Sequence, residues 1–288
     1  MKTIRNIYML LLALSLSLHA HAQQRTNTGN TYAPGYWIFG INAGLSYQSS
    51  HVPATLDGFG LGLTLGKNLY YQPGSIFAFD LRGRLLYARQ YGLDTKPLAT
   101  TDLLRNPTLN GTFGPDYTNI GLAYLNHKTT TGELALEGLL TLNRLRERTN
   151  IHLALFGGLG LVGYGAYADQ VNAQGQEYAQ GYSGIDTRLG NTAIRRDLRS
   201  LLDGTYETAA SNERGADFNV SGALNLGLEL GYHLSPNFLL YVGHRTAYTG
   251  TDYLDATPLP GMRNARYPYT PLGLRWLIQP DREKPLSR

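Results

Sequence analysis

Cysteine is absent from the 288 residues, which excludes a disulfide framework and a lipid anchor carried on cysteine. Charge is sparse, 16% of residues, and the formal net charge is only +4. That is no electrostatic footprint for nucleic acid. Outside the first 18 residues no apolar run reaches the roughly 18–20 residues that a membrane helix needs, so a helical membrane protein is excluded. Spacing of the type His-Glu-x-x-His is missing, and the histidines beyond the N-terminal segment (His51, His127, His152, His233, His244) pair with no cysteine, so no metal site is expected. Glycine and tyrosine, by contrast, are plentiful, at 34 and 21 residues.

The N-terminus fixes the route of the chain. Lys2 and Arg5 form a positive start, residues 7–18 are apolar apart from Ser15 and Ser17, and Ala20, His21 and Ala22 supply the small-x-small cleavage pattern. Residues 1–22 are therefore expected to be a signal peptide, delivering the chain to a bacterial envelope. Cleavage after Ala22 removes 22 of 288 residues and leaves 266. Residues 23–35 read as a flexible periplasmic leader, 36–279 as the folded unit and 280–288 as a periplasmic tail.

The folded unit alternates with period two. In 36–48 Trp37, Phe39, Ile41 and Leu45 take one face, with Gly40, Asn42, Gly44 and Ser46 on the other. The pattern recurs from Phe59 to Leu65, Phe77 to Tyr87, Leu134 to Leu142, Ile151 to Leu161, Phe218 to Leu230, Phe238 to Tyr248 and Leu272 to Ile278, which makes eight strands. Aromatics such as Trp37, Phe77, Tyr87, Phe238 and Trp276 sit near strand ends, as membrane-interface girdles require. The connections are sorted by length. Those after strands two, four and six (67–75, 144–150, 234–237) are short, while 49–57, 92–132, 170–217 and 250–268 are mostly longer. An outer-membrane barrel sorts its turns and loops in this way, and a soluble sandwich has no reason to. The expected fold is all-β: a closed antiparallel up-and-down transmembrane barrel of eight strands, with long external loops and one short helix.

The face opposite the lipid carries Asp80, Arg82, Arg84, Glu133, Glu137, Glu229, Arg245 and Arg275. An eight-stranded interior is just wide enough for side chains to fill, and isolated buried charge is costly. Four acids and four arginines should therefore pair across the lumen and argue against an open pore.

The stretch Gly227 to His233, with Tyr241, Val242, Gly243, His244 and Arg245 and then Thr251 to Asp255, resembles the last two strands and loop of small OmpA/OmpX-type barrels from Bacteroidetes. The resemblance includes the PorG-like, type IX secretion group. As a pattern it covers most of the mature chain, as a motif about thirty residues. It implies an outer-membrane location and a role in an envelope or secretion assembly. The sequence ends at Arg288, ten residues past Ile278. No peptidoglycan-binding domain is expected, so the wall-tethering role of full-length OmpA is not carried over.

Three local features bear on chemistry. Gly158, Gly160 and Gly163 match the glycine spacing of dinucleotide sites, but they lie inside an alternating strand rather than at a strand-to-helix turn, so the match is chance. His244 and Thr246 fall on the face of Phe238. They resemble the His-x-Ser pair of barrel lipid A deacylases, except that threonine replaces serine and no orienting acid is assigned beyond the candidates Asp252 and Asp255. Residues 192–203 are a basic amphipathic helix, with Ile194, Leu198, Leu201 and Leu202 on one face. It rests near lipopolysaccharide phosphates, caps the barrel mouth, or is simply a short solvated helix of the loop.

The expected function is a structural or interaction barrel of the bacterial outer membrane, with no catalytic, cofactor-binding or metal residues and its loops as the binding surface. Outer-membrane lipid, lipopolysaccharide and envelope proteins are its expected partners. The rival readings are a narrow solute channel, which a ten-stranded wall with an extra hairpin in 117–128 would favour, and a lipid A-modifying enzyme at His244.

Overall fold

The computed structural model describes residues 32, 34–49, 52–100, 115–209, 219–251, 254, 256 and 265–280. The expected signal peptide, nearly all of the leader and tail, Phe218, Asp252 and Asp255 lie outside these residues.

Eight long strands form the wall: β1 (Trp37–Ser46), β2 (Phe59–Tyr70), β3 (Phe77–Leu93), β4 (Asn126–Leu142), β5 (Ile151–Ala168), β6 (Asn219–Ser235), β7 (Phe238–Thr249) and β8 (Arg266–Ile278). Each pairs antiparallel with its neighbour in sequence. The ring closes where β1 pairs with β8, Trp37 opposite Ile278 and Ser46 opposite Tyr269. Closure leaves no strand edge unpaired, which is the condition for carrying strands through hydrocarbon.

Alternation decides which way each residue faces. Phe39, Ile41, Leu61, Leu63, Leu85, Leu134, Leu136, Leu155, Leu159, Leu226 and Leu274 stand exposed on the outer wall, far more apolar surface than a monomer leaves facing water. Trp37, Phe77, Phe238 and Trp276 mark one rim of this belt, with Phe238 and Trp276 stacked 6.1 Å apart, and Phe59, Tyr87 and Tyr248 mark the other. In-facing positions mix polar and small residues with buried aromatic and aliphatic ones such as Phe156, Tyr241 and Tyr269, and Gly158, Gly160 and Gly163 lie within β5 as a wall segment.

The strands run beyond the apolar stretches that revealed them. β3 continues to Leu93 and β4 starts at Asn126. Their polar ends stay in the ladder because in-facing Gln90 and Thr131 find partners there: Gln90 donates to Ser46 Oγ at 2.9 Å. The segment 117–128, which the rival ten-stranded reading would need for an extra hairpin, adds none to the wall. Pro115–Ile120 is a short helix, α1, followed by a two-residue bridge in which Leu122–Ala123 pairs with Leu98–Ala99. The wall therefore has eight strands among the described residues, not ten.

At the tight-turn end, the connection after β4 is a helical turn, α2 (Asn143–Thr149), closed by Asn150 at φ 61°. At the other end, α3 (Ala179–Ser183) and α4 (Asn191–Leu201) fold over the mouth. Ile194 and Leu198 of α4 pack with Tyr117, Tyr124, Tyr178, Tyr182 and Leu93 in a buried apolar cluster. The solvated reading of this helix does not hold, because its apolar face is packed within that loop-end cluster.

Candidate functional site

The lumen is the densest polar feature, arranged in three tiers. In the middle tier Arg82 of β3 donates from Nε to Glu137 of β4 and from Nη1 to Glu229 of β6, both at 2.6 Å. Arg84 reaches Glu137 at 3.0 Å, and Arg275 of β8 reaches Glu229 at 2.6 Å. All five side chains are buried. Two glycines make room for the aromatic rings that the arginines lie against. A Cβ on Gly227 would meet Phe156 at 2.4 Å, and Arg82 sits 4.6 Å from that ring. A Cβ on Gly273 would meet Tyr241 at 2.4 Å, and Arg275 sits 4.8 Å from that ring.

Towards the loop end lies the second tier. Glu133 accepts from Arg245 at 2.5 Å, from Asn225 Nδ2 at 2.6 Å and from the Tyr267 hydroxyl. Seven of the eight lumen charges read from the sequence thus fall into two ion-paired groups.

The eighth does not join them. Asp80 accepts from Asn68 Nδ2 at 2.7 Å and from the Tyr36 hydroxyl at 3.1 Å, and no arginine pairs with it directly among the described residues. The reason is its height in the wall: it lies near the tight-turn end of β3, below Arg82. There it belongs to a third tier that sequence reading missed, built around Arg146 of α2. The Arg146 guanidinium lies 4.2 Å from the Tyr32 ring, 5.5 Å from Tyr71 and 5.9 Å from Tyr36. It donates to Tyr36 Oη at 3.0 Å and Asn143 Oδ1 at 2.7 Å. Residues 144–150 look like an ordinary polar turn, and only the tyrosines at 32, 36 and 71 could have marked this arginine as caged.

Together the tiers put paired charge through the lumen and an aromatic cage at its tight-turn end, with the loop cap over its mouth.

The outer wall carries one polar oddity. His244 faces outward, as its sequence position predicts, and its Nδ1 lies 2.8 Å from Thr270 Oγ1 on β8, the neighbouring strand of the ladder. Thr246, expected as its partner, is two residues along the same strand, and the geometry brings in Thr270 instead. No group of three His, Asp or Glu side chains is placed to hold a metal ion among the described residues.

No protein family matches the chain, and no curated protein does. Solved structures similar to it include Neisserial surface protein A, at 15% identity, covering 83% of this chain and 96% of that one, with a TM-score of 0.38. Ail, the attachment invasion locus protein of Yersinia pestis in complex with the heparin analogue sucrose octasulfate, is 10% identical, with 85% and 99% covered and a TM-score of 0.39. A major outer membrane protein from Thermus thermophilus is 13% identical, with 85% and 99% covered and a TM-score of 0.44. These are likenesses of fold. The chain's own geometry (closed ring, apolar wall, charged lumen, sorted connections) is that of an outer-membrane β-barrel.

Proposed function

We propose that this barrel is a sealed structural or interaction protein of the outer membrane, whose loop face is its working surface. The observation that supports the reading most is the paired, buried charge that fills the lumen beneath a packed cap. A pore would need water where Arg82, Glu137 and Glu229 meet. The loop end instead invests its chain in structure: α3, α4 and the segments between them form a fixed surface, the form in which barrels and sandwiches present binding loops. Outer-membrane lipid and lipopolysaccharide are the proposed surroundings of the wall. A protein of an envelope or secretion assembly, of the PorG-like kind, is the proposed partner of the loops.

A photo-crosslinking residue placed at Leu56 or Leu189, both exposed at the loop end, tests the interaction reading in intact cells. Discrete protein adducts from these positions, with none from a lumen position such as Asn225, are expected. Adduct-free loops in cells that make the protein at its native level would contradict it.

A further inference from the structure

At the barrel rim, outside the lumen, a cavity of about 220 Å³ opens between the first loop, the ends of β3 and β5, and the segment after α4. Its lining includes Thr55, Asp57, Tyr91, Asp169, Arg199 and Tyr206. Two features give it chemical character. The first is an aromatic wall: the Tyr91 and Tyr206 rings stand 5.9 Å apart and tilted by 57°. The Tyr206 ring already holds one cation, Lys128 Nζ, 5.6 Å from its centroid.

The second is Asp169. Its residue is 1% exposed, immediately beyond the end of β5. Asn126 clamps its backbone from both sides, donating from Nδ2 to the Asp169 carbonyl at 2.8 Å and accepting from its N–H at 2.7 Å. The carboxylate is bonded by the Tyr178 hydroxyl, and Oδ2 accepts from the Gly204 N–H at 2.9 Å, while Oδ1 is buried with no hydrogen-bond partner among the described residues. A buried carboxylate oxygen left unpaired is costly, and its natural complement is a donor with positive charge.

The surrounding charges favour the same sign. Arg199, the cation lining the cavity, is held by Asp57 at 2.5 Å. Asp203 and Glu207 from the following segment add negative potential at Asp169, against the positive charge of Lys128 at the Tyr206 ring. The paired rings of Tyr91 and Tyr206 favour an organic cation as that complement.

We propose that this rim cavity is a binding site for a small organic ammonium ion, with Asp169 as its counter-charge and Tyr91 and Tyr206 as its cation–π wall. The size agrees: the volume lies below the roughly 300–1,000 Å³ of pockets for drug-sized ligands, so it suits a single amine head group. The site deepens the reading of the loop face as a binding surface and rests on it. Protein crosslinks at Leu56 and amine binding at Asp169 fail independently, so the two claims remain distinguishable.

Calorimetric titration of the whole folded protein in detergent tests the site, with putrescine as the probe and 1,4-butanediol as its uncharged match. Putrescine should bind and butanediol should not. Asp169→Asn keeps the shape and removes the charge. It should weaken putrescine at least about tenfold, the loss expected for a hydrogen bond to a charged group. Tyr206→Leu should weaken it too, while unboiled gel migration shows each variant still folded. Equal binding of butanediol, undiminished affinity in folded Asp169→Asn, or no putrescine binding to the unmodified protein would overturn the proposal.

Discussion

Arg82 of β3 and Glu229 of β6 meet at 2.6 Å across the interior, although two strands separate them on one side of the ring and four on the other. The bond spans the lumen, and it is one of several that Glu229 accepts, Arg275 supplying another at 2.6 Å. Removing one partner of a buried pair leaves the others charged and desolvated. Glu229→Gln should therefore lower stability by about 3–5 kcal/mol. Urea midpoints in detergent micelles check this, with Asp186→Asn as the control. Asp186 pairs with Arg188 at the solvent-exposed surface, where loss of the pair should change little.

The Arg146 cage makes a separate claim about the tight-turn end. Arg146→Met keeps a long side chain but loses the bonds to Tyr36 and Asn143 and the cation over Tyr32. The expected cost is about 1–3 kcal/mol, with the eight-stranded wall intact. Faster amide exchange at Tyr32, Tyr36 and Asn68, without change at Arg245, would locate the effect. Uniform loosening would show that the cage does not act locally.

How much of this was legible in the sequence follows from where alternation is strong. Leu61, Leu63 and Leu65 against Gly60, Gly62 and Thr64 specify β2 and its register, because a one-residue slip would turn every leucine into the lumen. Arg82, Glu137 and Glu229 could be assigned inward from the same parity. Asp80 shares that parity but lies one layer lower, and parity carries no information about height. The ends of β3 and β4 were missed because Gln90 and Thr129 lie in polar stretches whose strand state depends on partners across the ladder. The cap was legible in part: the apolar stripe of α4 gave its face, while the bed of tyrosines beneath it comes from 117, 124, 178 and 182, positions joined only by the fold.

Burial pushes the Asp169 carboxyl up to about 6, with Asp203 and Glu207 adding to the rise and the Tyr178 hydroxyl and Gly204 N–H opposing it. The folded state therefore holds a proton between its ordinary value of 3.8 and about 6 that the unfolded loop has released. The linkage sign is negative: the loop segment loses stability as pH rises through that window, and the loss is complete above it. Amide exchange of Gly204, corrected for intrinsic rate, should show less protection at pH 7.5 than at pH 5. Asp169→Asn should abolish the difference. Protection that rises with pH would contradict the assignment.

His244 and Thr270 form a polar pair on the lipid face without an acid to orient the imidazole among the described residues. A structural wall position predicts that His244→Ala leaves insertion, heat-modifiable migration and the lipid A profile of the cell unchanged. A general base would behave otherwise, because its loss costs at least about a hundredfold in rate. Lipid A short of an acyl chain on overexpression, restored to full acylation by His244→Ala, would make this an enzyme.

Single-channel recording in planar bilayers tests the sealed lumen most directly. The unmodified protein should give no steady conductance at neutral pH, because Arg82, Arg84, Glu137, Glu229 and Arg275 close the middle tier and the cap covers the mouth. Glu137→Ala, which strips Arg82 and Arg84 of a shared partner, should produce brief openings. Large, steady channels from the unmodified barrel would contradict the account.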